Sequence, residues 1–112
     1  MTTFSSSLVP PFRADVAVGH DEVVVAVRGE LDLQSADVLE HEVVALHSAG
    51  HDRIVIDLRR IEFIDSTGLR VLIELRKAAE RAGWHLSLVR GPRGVQRIFE
   101  LTATDPLFDW RD

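Results

Sequence analysis

From Phe12 onward the chain alternates between two hydrophobic rhythms. Arg13-Ala14-Asp15-Val16-Ala17-Val18 alternates weakly between polar and apolar positions, and the run from Glu22 to Arg28 carries Val23, Val24, Val25 and Val27. Gly19-His20-Asp21 between them forms a tight connection, so the pattern predicts an antiparallel hairpin. The second run is nearly continuous in apolar residues, which predicts a strand buried on both faces. Ser35 follows as an expected N-cap. Beyond it Leu39, Val43 and Leu46 recur at spacings of four and three, with Val38 alongside and Glu40, His41 and Glu42 largely off the stripe. That is an amphipathic helix stopping near Gly50. Ile54-Val55-Ile56-Asp57-Leu58 is a short β-branched run suited to an inner strand.

A second helix opens at Ser66-Thr67-Gly68, with Leu69, Leu72, Ile73, Leu75, Ala79 and Ala82 on its apolar face and Gly83 ending it. Leu86 to Val89 reads as a strand. Pro92 suits the first position of a third helix, whose expected buried residues are Val95, Ile98, Phe99 and Leu101. Leu107-Phe108 is expected as a last short strand. The order predicts a single α/β domain with a mixed β-sheet, an opening hairpin followed by strands joined by helices, and right-handed crossovers. Residues 1–11, rich in Ser and Thr and closed by Pro10-Pro11, are expected to form a flexible arm before a domain over 12–112.

Composition narrows the function classes. A chain of 112 residues with 46% hydrophobic content supports one core and leaves no room for two. The net charge of −5 argues against direct nucleic-acid binding, which needs a basic surface. With no cysteine, disulfides, zinc knuckles and thiol catalysis are excluded. No apolar run reaches the roughly 20 residues of a membrane span. The N-terminus lacks the charge and apolar stretch of a signal peptide. The expectation is a soluble cytoplasmic protein.

The densest chemistry lies in Ile61-Glu62-Phe63-Ile64-Asp65-Ser66-Thr67-Gly68-Leu69-Arg70-Val71-Leu72. There the chain is expected to leave an inner strand, pass a short loop and enter a helix with Ser66 as N-cap. A hydroxyl at such a point lies near free amides and the positive end of the helix dipole. A phosphoryl group there would find donors, yet the spacing alone favours a serine that merely caps, because serine caps are common. Other constellations carry less. His41, His47 and His51 have no spacing for a metal and read as surface residues. No Gly-x-Ser-x-Gly elbow surrounds Ser66, which removes a hydrolase reading. Trp84 and Trp110 read as packing residues, and Arg90 to Arg97 as a solvated helix face.

The Asp65-Ser66-Thr67-Gly68-Leu69 stretch resembles the signature of the STAS family, named for sulphate transporters and anti-sigma factor antagonists. Val27-Arg28-Gly29-Glu30-Leu31-Asp32 resembles the family's turn after its second strand. Pro92 to Thr102 is similar to its helix ahead of the last strand. The resemblance implies a phosphorylation-controlled binding protein rather than an enzyme, acting without cofactor or metal. Its partners would be an anti-sigma factor serine kinase of the histidine-kinase-like ATPase fold and a serine phosphatase, with no nucleic acid contacted directly. Carried over, the phosphorylated residue is Ser66, with Thr67 the second choice. Glu30 and Asp32 on the neighbouring loop, with Asp65, Thr67, Gly68 and Arg70, would meet the partner. Arg70 departs from the glycine common in the family. It would pair with a partner acid or the phosphate, or simply be solvated. The alternative implied function is an accessory subunit of a lipid or anion transporter, or a signalling scaffold component.

Overall fold

Strands β1 (Arg13–Val18) and β2 (Val23–Leu31) form the expected hairpin, closed by a Gly19 N–H to Glu22 carbonyl bond of 2.8 Å. The computed structural model describes residues 12–111, so the expected arm over 1–11 lies outside the described residues. After the hairpin come α1 (Ala36–Ser48), β3 (Arg53–Ile64), α2 (Ser66–Ala82), β4 (His85–Val89), α3 (Arg93–Leu101) and β5 (Trp110–Arg111). The five strands lie in sequence order; β1 is antiparallel to β2, and the remaining neighbours are parallel. This is the mixed α/β sheet that the sequence predicts.

Right-handed crossovers in a sheet that grows in one direction put all three helices on one face. Buried residues of the three helices accordingly join Val23, Val25, Val27, Ile54, Ile56 and Leu58 in a single cluster. Val55 is only 3% exposed yet stands outside that cluster, on the opposite face between Val24 and Ser87. β2 is therefore not buried on both faces as its composition suggests. Its valines alternate, with Val23, Val25 and Val27 at 0% exposure and Val24 half-buried on the helix-free side.

β3 is twelve residues long rather than five. Its second half escapes sequence reading because Leu58, Ile61 and Ile64 are buried at a spacing of three, which is not the period of a strand. Register shifts against β2 at Ala26/Arg28 and Gly29/Glu30 explain this spacing. Each admits one extra residue on β3, so Arg59-Arg60 and then Glu62-Phe63 both stay outside while the next apolar residue returns to the core.

The C-terminal part also differs from expectation. Leu107 ends a 3₁₀ turn over Asp105–Leu107, and the last strand is Trp110–Arg111. Pro106 suits the start of that turn, where its missing N–H is not needed. Leu101 is 68% exposed, and Gln96 takes a buried place in α3, its Oε1 accepting the Gly91 N–H at 2.7 Å. Phe99 meets Phe108 and Trp110 edge-on, so Trp110 packs as expected. His47 is half-buried and stacked on Trp84, not a surface residue. Among the described residues, no helix is long and apolar enough to cross a membrane.

Candidate partner-binding site

The carboxyl ends of β2 and β3 are tied by the Asp65 N–H, which donates to the Leu31 carbonyl at 3.2 Å. Asp65 is extended, and its Oδ1 accepts the Gly68 N–H at 2.9 Å. It is the N-cap of α2. Ser66, expected there, is instead the first helical residue. With β3 running through Ile64 there is no loop to spare, and aspartate caps as well as serine. Ser66 is exposed, and no hydrogen bond to its hydroxyl occurs among the described residues. The hydroxyl thus stands unused at the positive end of a 17-residue helix.

The neighbouring site residues divide by burial. Thr67 is half-buried beside Ser66. Gly68 is buried, and a Cβ there would collide with the Leu31 carbonyl oxygen and press on the Leu31 and Ile64 side chains. Its lack of a side chain lets α2 approach β2; it positions the serine rather than presenting surface. Arg70 lies one turn beyond Ser66, exposed, with no ion pair or hydrogen bond among the described residues.

Glu30 is the penultimate residue of β2, half-buried and paired in register with Phe63, so it lies in the strand rather than in a loop. Asp32 begins the β2–α1 loop and is committed to holding it. Its Oδ1 accepts the Gln34 N–H at 3.0 Å and the Ser35 N–H at 3.2 Å. Ser35 stands at the N-cap position of α1 as expected, but its hydroxyl makes no bond to the first turn. Its hydroxyl donates to the Glu30 carbonyl at 2.7 Å and accepts the Asp32 N–H at 2.9 Å. The loop thereby keeps its backbone groups paired and brings Asp32 to the same sheet edge as Asp65 and Ser66.

Two apolar side chains at this edge were not legible as site residues. Leu33 is 72% exposed on the β2–α1 loop and Phe63 is 49% exposed two residues before the cap. Exposed apolar groups beside polar ones are the composition of protein-binding surfaces. The one available signal was that Phe63 falls outside the Leu58, Ile61, Ile64 spacing.

On the helix-free face, Arg59 forks onto Asp57, with Nε to Oδ1 at 3.0 Å and a terminal nitrogen to Oδ2 at 2.8 Å. These hydrogen bonds hold the Asp57 carboxyl below its ordinary pKa against the opposing effect of burial. Among the described residues no group of three or more His, Asp or Glu could hold a metal ion.

A five-stranded mixed sheet with its helices on one face, and an exposed serine at the start of α2 where β2 and β3 end, define the class of small α/β domain to which the chain belongs. The chain belongs to the STAS domain family: the profile described as Mlab, STAS domain, matches residues 15–108. The anti-sigma-B factor antagonist of Bacillus subtilis is 32% identical over 97 residues, covering 87% of this chain and 88% of its own. An anti-sigma factor antagonist from Mycobacterium paratuberculosis superposes with a TM-score of 0.75 at 27% identity, over 89% of this chain and 85% of that one. SpoIIAA in its unphosphorylated form shares the fold, with a TM-score of 0.72 at 19% identity over 91% and 89% of the two chains.

Proposed function

We propose that the chain is an anti-sigma factor antagonist that works by partner switching through Ser66. In its unmodified form it binds an anti-sigma factor serine kinase and thereby frees a sigma factor. The kinase transfers the γ-phosphoryl group of ATP to Ser66 Oγ, the hydroxyl proton leaves, and ADP is released. The modified chain no longer binds, and a serine phosphatase restores it by hydrolysis. The observation that carries this reading is the exposed Ser66 hydroxyl, which has no hydrogen bond among the described residues because Asp65 does the capping.

The energetics are within reach of one group. A phosphoserine carries about −1.5 to −2 charge at neutral pH and would stand next to Asp65 and near Glu30 and Asp32. Weakening a dissociation constant from about 1 μM to 1 mM takes roughly 4 kcal/mol, which like-charge crowding and bulk at an interface centre can supply. Free backbone N–H groups of the first turn of α2 can donate to the phosphoryl oxygens, so modification does not require unfolding.

Calorimetric titration against an anti-sigma factor kinase, with and without ATP, tests the proposal. Ser66→Ala binds in both conditions, and Ser66→Asp binds poorly. If both variants bind as the parent does regardless of ATP, Ser66 is not the switch.

A further inference from the structure

Three arginines occupy one row across the helix-free face. Arg13 on β1 is opposite Arg28 on β2, and Arg28 is opposite Arg60 on β3. Like charges directly opposed across strands destabilise a sheet, so the arrangement has a structural cost. It also runs against the chain's net charge of −5. Arg13 has a partner in Asp15 at 3.1 Å, and Arg59 has Asp57. Arg28 and Arg60 have no ion pair or hydrogen bond among the described residues; Arg60 acts on Asp57 only through space.

The row opens into a cleft. Beyond Asp57, β3 has lost β4 as a neighbour, since their pairing ends at Asp57↔Val89. An open cleft of about 680 Å³ results, lined by Arg28, Arg59 and Arg60 on the sheet and by Pro92 and Gly94 at the start of α3. Among the described residues, Glu62 is the one carboxylate lining it. Adjacent strands are roughly 4.8 Å apart, so the row from β1 to β3 spans roughly 10 Å. That span suits two carboxylates on one side of an extended chain, which recur every roughly 7 Å.

We propose that this cleft is a docking site for an acidic, extended segment of a partner protein, separate from the Ser66 edge. The exposure of the arginines favours a protein segment over a small ion, which needs enclosing donors. The acidic remainder of the surface disfavours a nucleic acid, whose continuous phosphates it repels. Acidic side chains would neutralise Arg28 and Arg60 and relieve the repulsion along the row. The proposal does not depend on phosphorylation of Ser66.

The test uses the full isotope-labelled chain and a hexaglutamate peptide at about 50 mM salt, followed by amide shifts. The expected result is saturable movement of the Gly29, Ile61 and Gly94 signals, with affinity falling steeply as salt is raised. Arg28→Glu combined with Arg60→Glu weakens binding at least tenfold, whereas Arg81→Glu at the far end of α2 leaves it unchanged. Arg28→Gln alone weakens binding while holding or raising the melting temperature, which a purely structural arginine would not do. The proposal is overturned if the peptide moves none of these signals. It is equally overturned if inorganic phosphate or a single-stranded oligonucleotide moves them and the peptide does not. Movement with protein concentration alone, accompanied by dimerisation, would assign the cleft to a second copy of the chain and also overturn it.

Discussion

The Asp65 carboxylate accepts the Gly68 amide at 2.9 Å, three residues ahead, and this one bond separates the cap of α2 from the serine beside it. Capping thus belongs to Asp65, which leaves the Ser66 hydroxyl available for the proposed switch. Ser66→Ala should shift stability by no more than about 0.5 kcal/mol, as for other exposed positions. Asp65→Ala should cost about 1 kcal/mol, a melting-temperature drop of several degrees. Thermal melts of the pair check this; equal losses would return the capping role to Ser66.

Ser66→Asp should fold with at least the parent's stability, because a carboxylate in the first turn favours the helix dipole. Its affinity for the kinase should nevertheless fall. Phosphorylation by the kinase should add one phosphate, found at Ser66 by fragment mass spectra. Modification at Thr67 or elsewhere, with Ser66 untouched, would refute the assignment.

Gly68→Ala should destabilise the domain by about 1–3 kcal/mol through overpacking, since the methyl must displace Leu31 or lift α2. The change acts on the position of Ser66 as well. Denaturant titration measures the loss. A variant as stable as the parent would show that α2 has slack against β2.

Leu33→Ala and Phe63→Ala should leave folding stability within about 0.5 kcal/mol and weaken kinase binding by more than about 1 kcal/mol each. Their exposures of 72% and 49% put both in reach of a partner. Unchanged affinity for both would move the interface off this edge.

Asp57 should make stability depend on acid pH. Its pKa lies below the ordinary value of 3.8, chiefly through the hydrogen bonds from Arg59. A depressed carboxyl contributes stability that is present above the unfolded value and lost as pH falls through the folded one. Asp57→Asn should therefore flatten the stability profile below about pH 4 and change its shape little at neutral pH. Melts across that range distinguish the outcomes.

The hairpin, the three helices and the mixed sheet were legible along the chain because each rests on local signals, and the candidate serine was legible through the resemblance of its stretch to a family signature. Valine runs, Gly19 and Gly83 punctuation, amphipathic spacing and the Asp65-Ser66-Thr67-Gly68-Leu69 stretch are readable without knowing what lies opposite. The remainder depended on neighbours in space. Only the pairing of β3 with β2 shows that two bulges turn a spacing of three into a strand. That extension moved the cap from Ser66 to Asp65. Only the close approach of Leu31 explains why residue 68 must lack a side chain. Asp32 and Ser35, read as surface and cap, became loop ties because their partners, Gln34 and Glu30, are brought to them by the turn. Arg13, Arg28 and Arg60, distant in sequence, became one row through strand register alone. A chain encodes local geometry through short-range sterics and hydrogen bonding, whereas which surfaces face each other is settled by the shared burial of distant apolar residues.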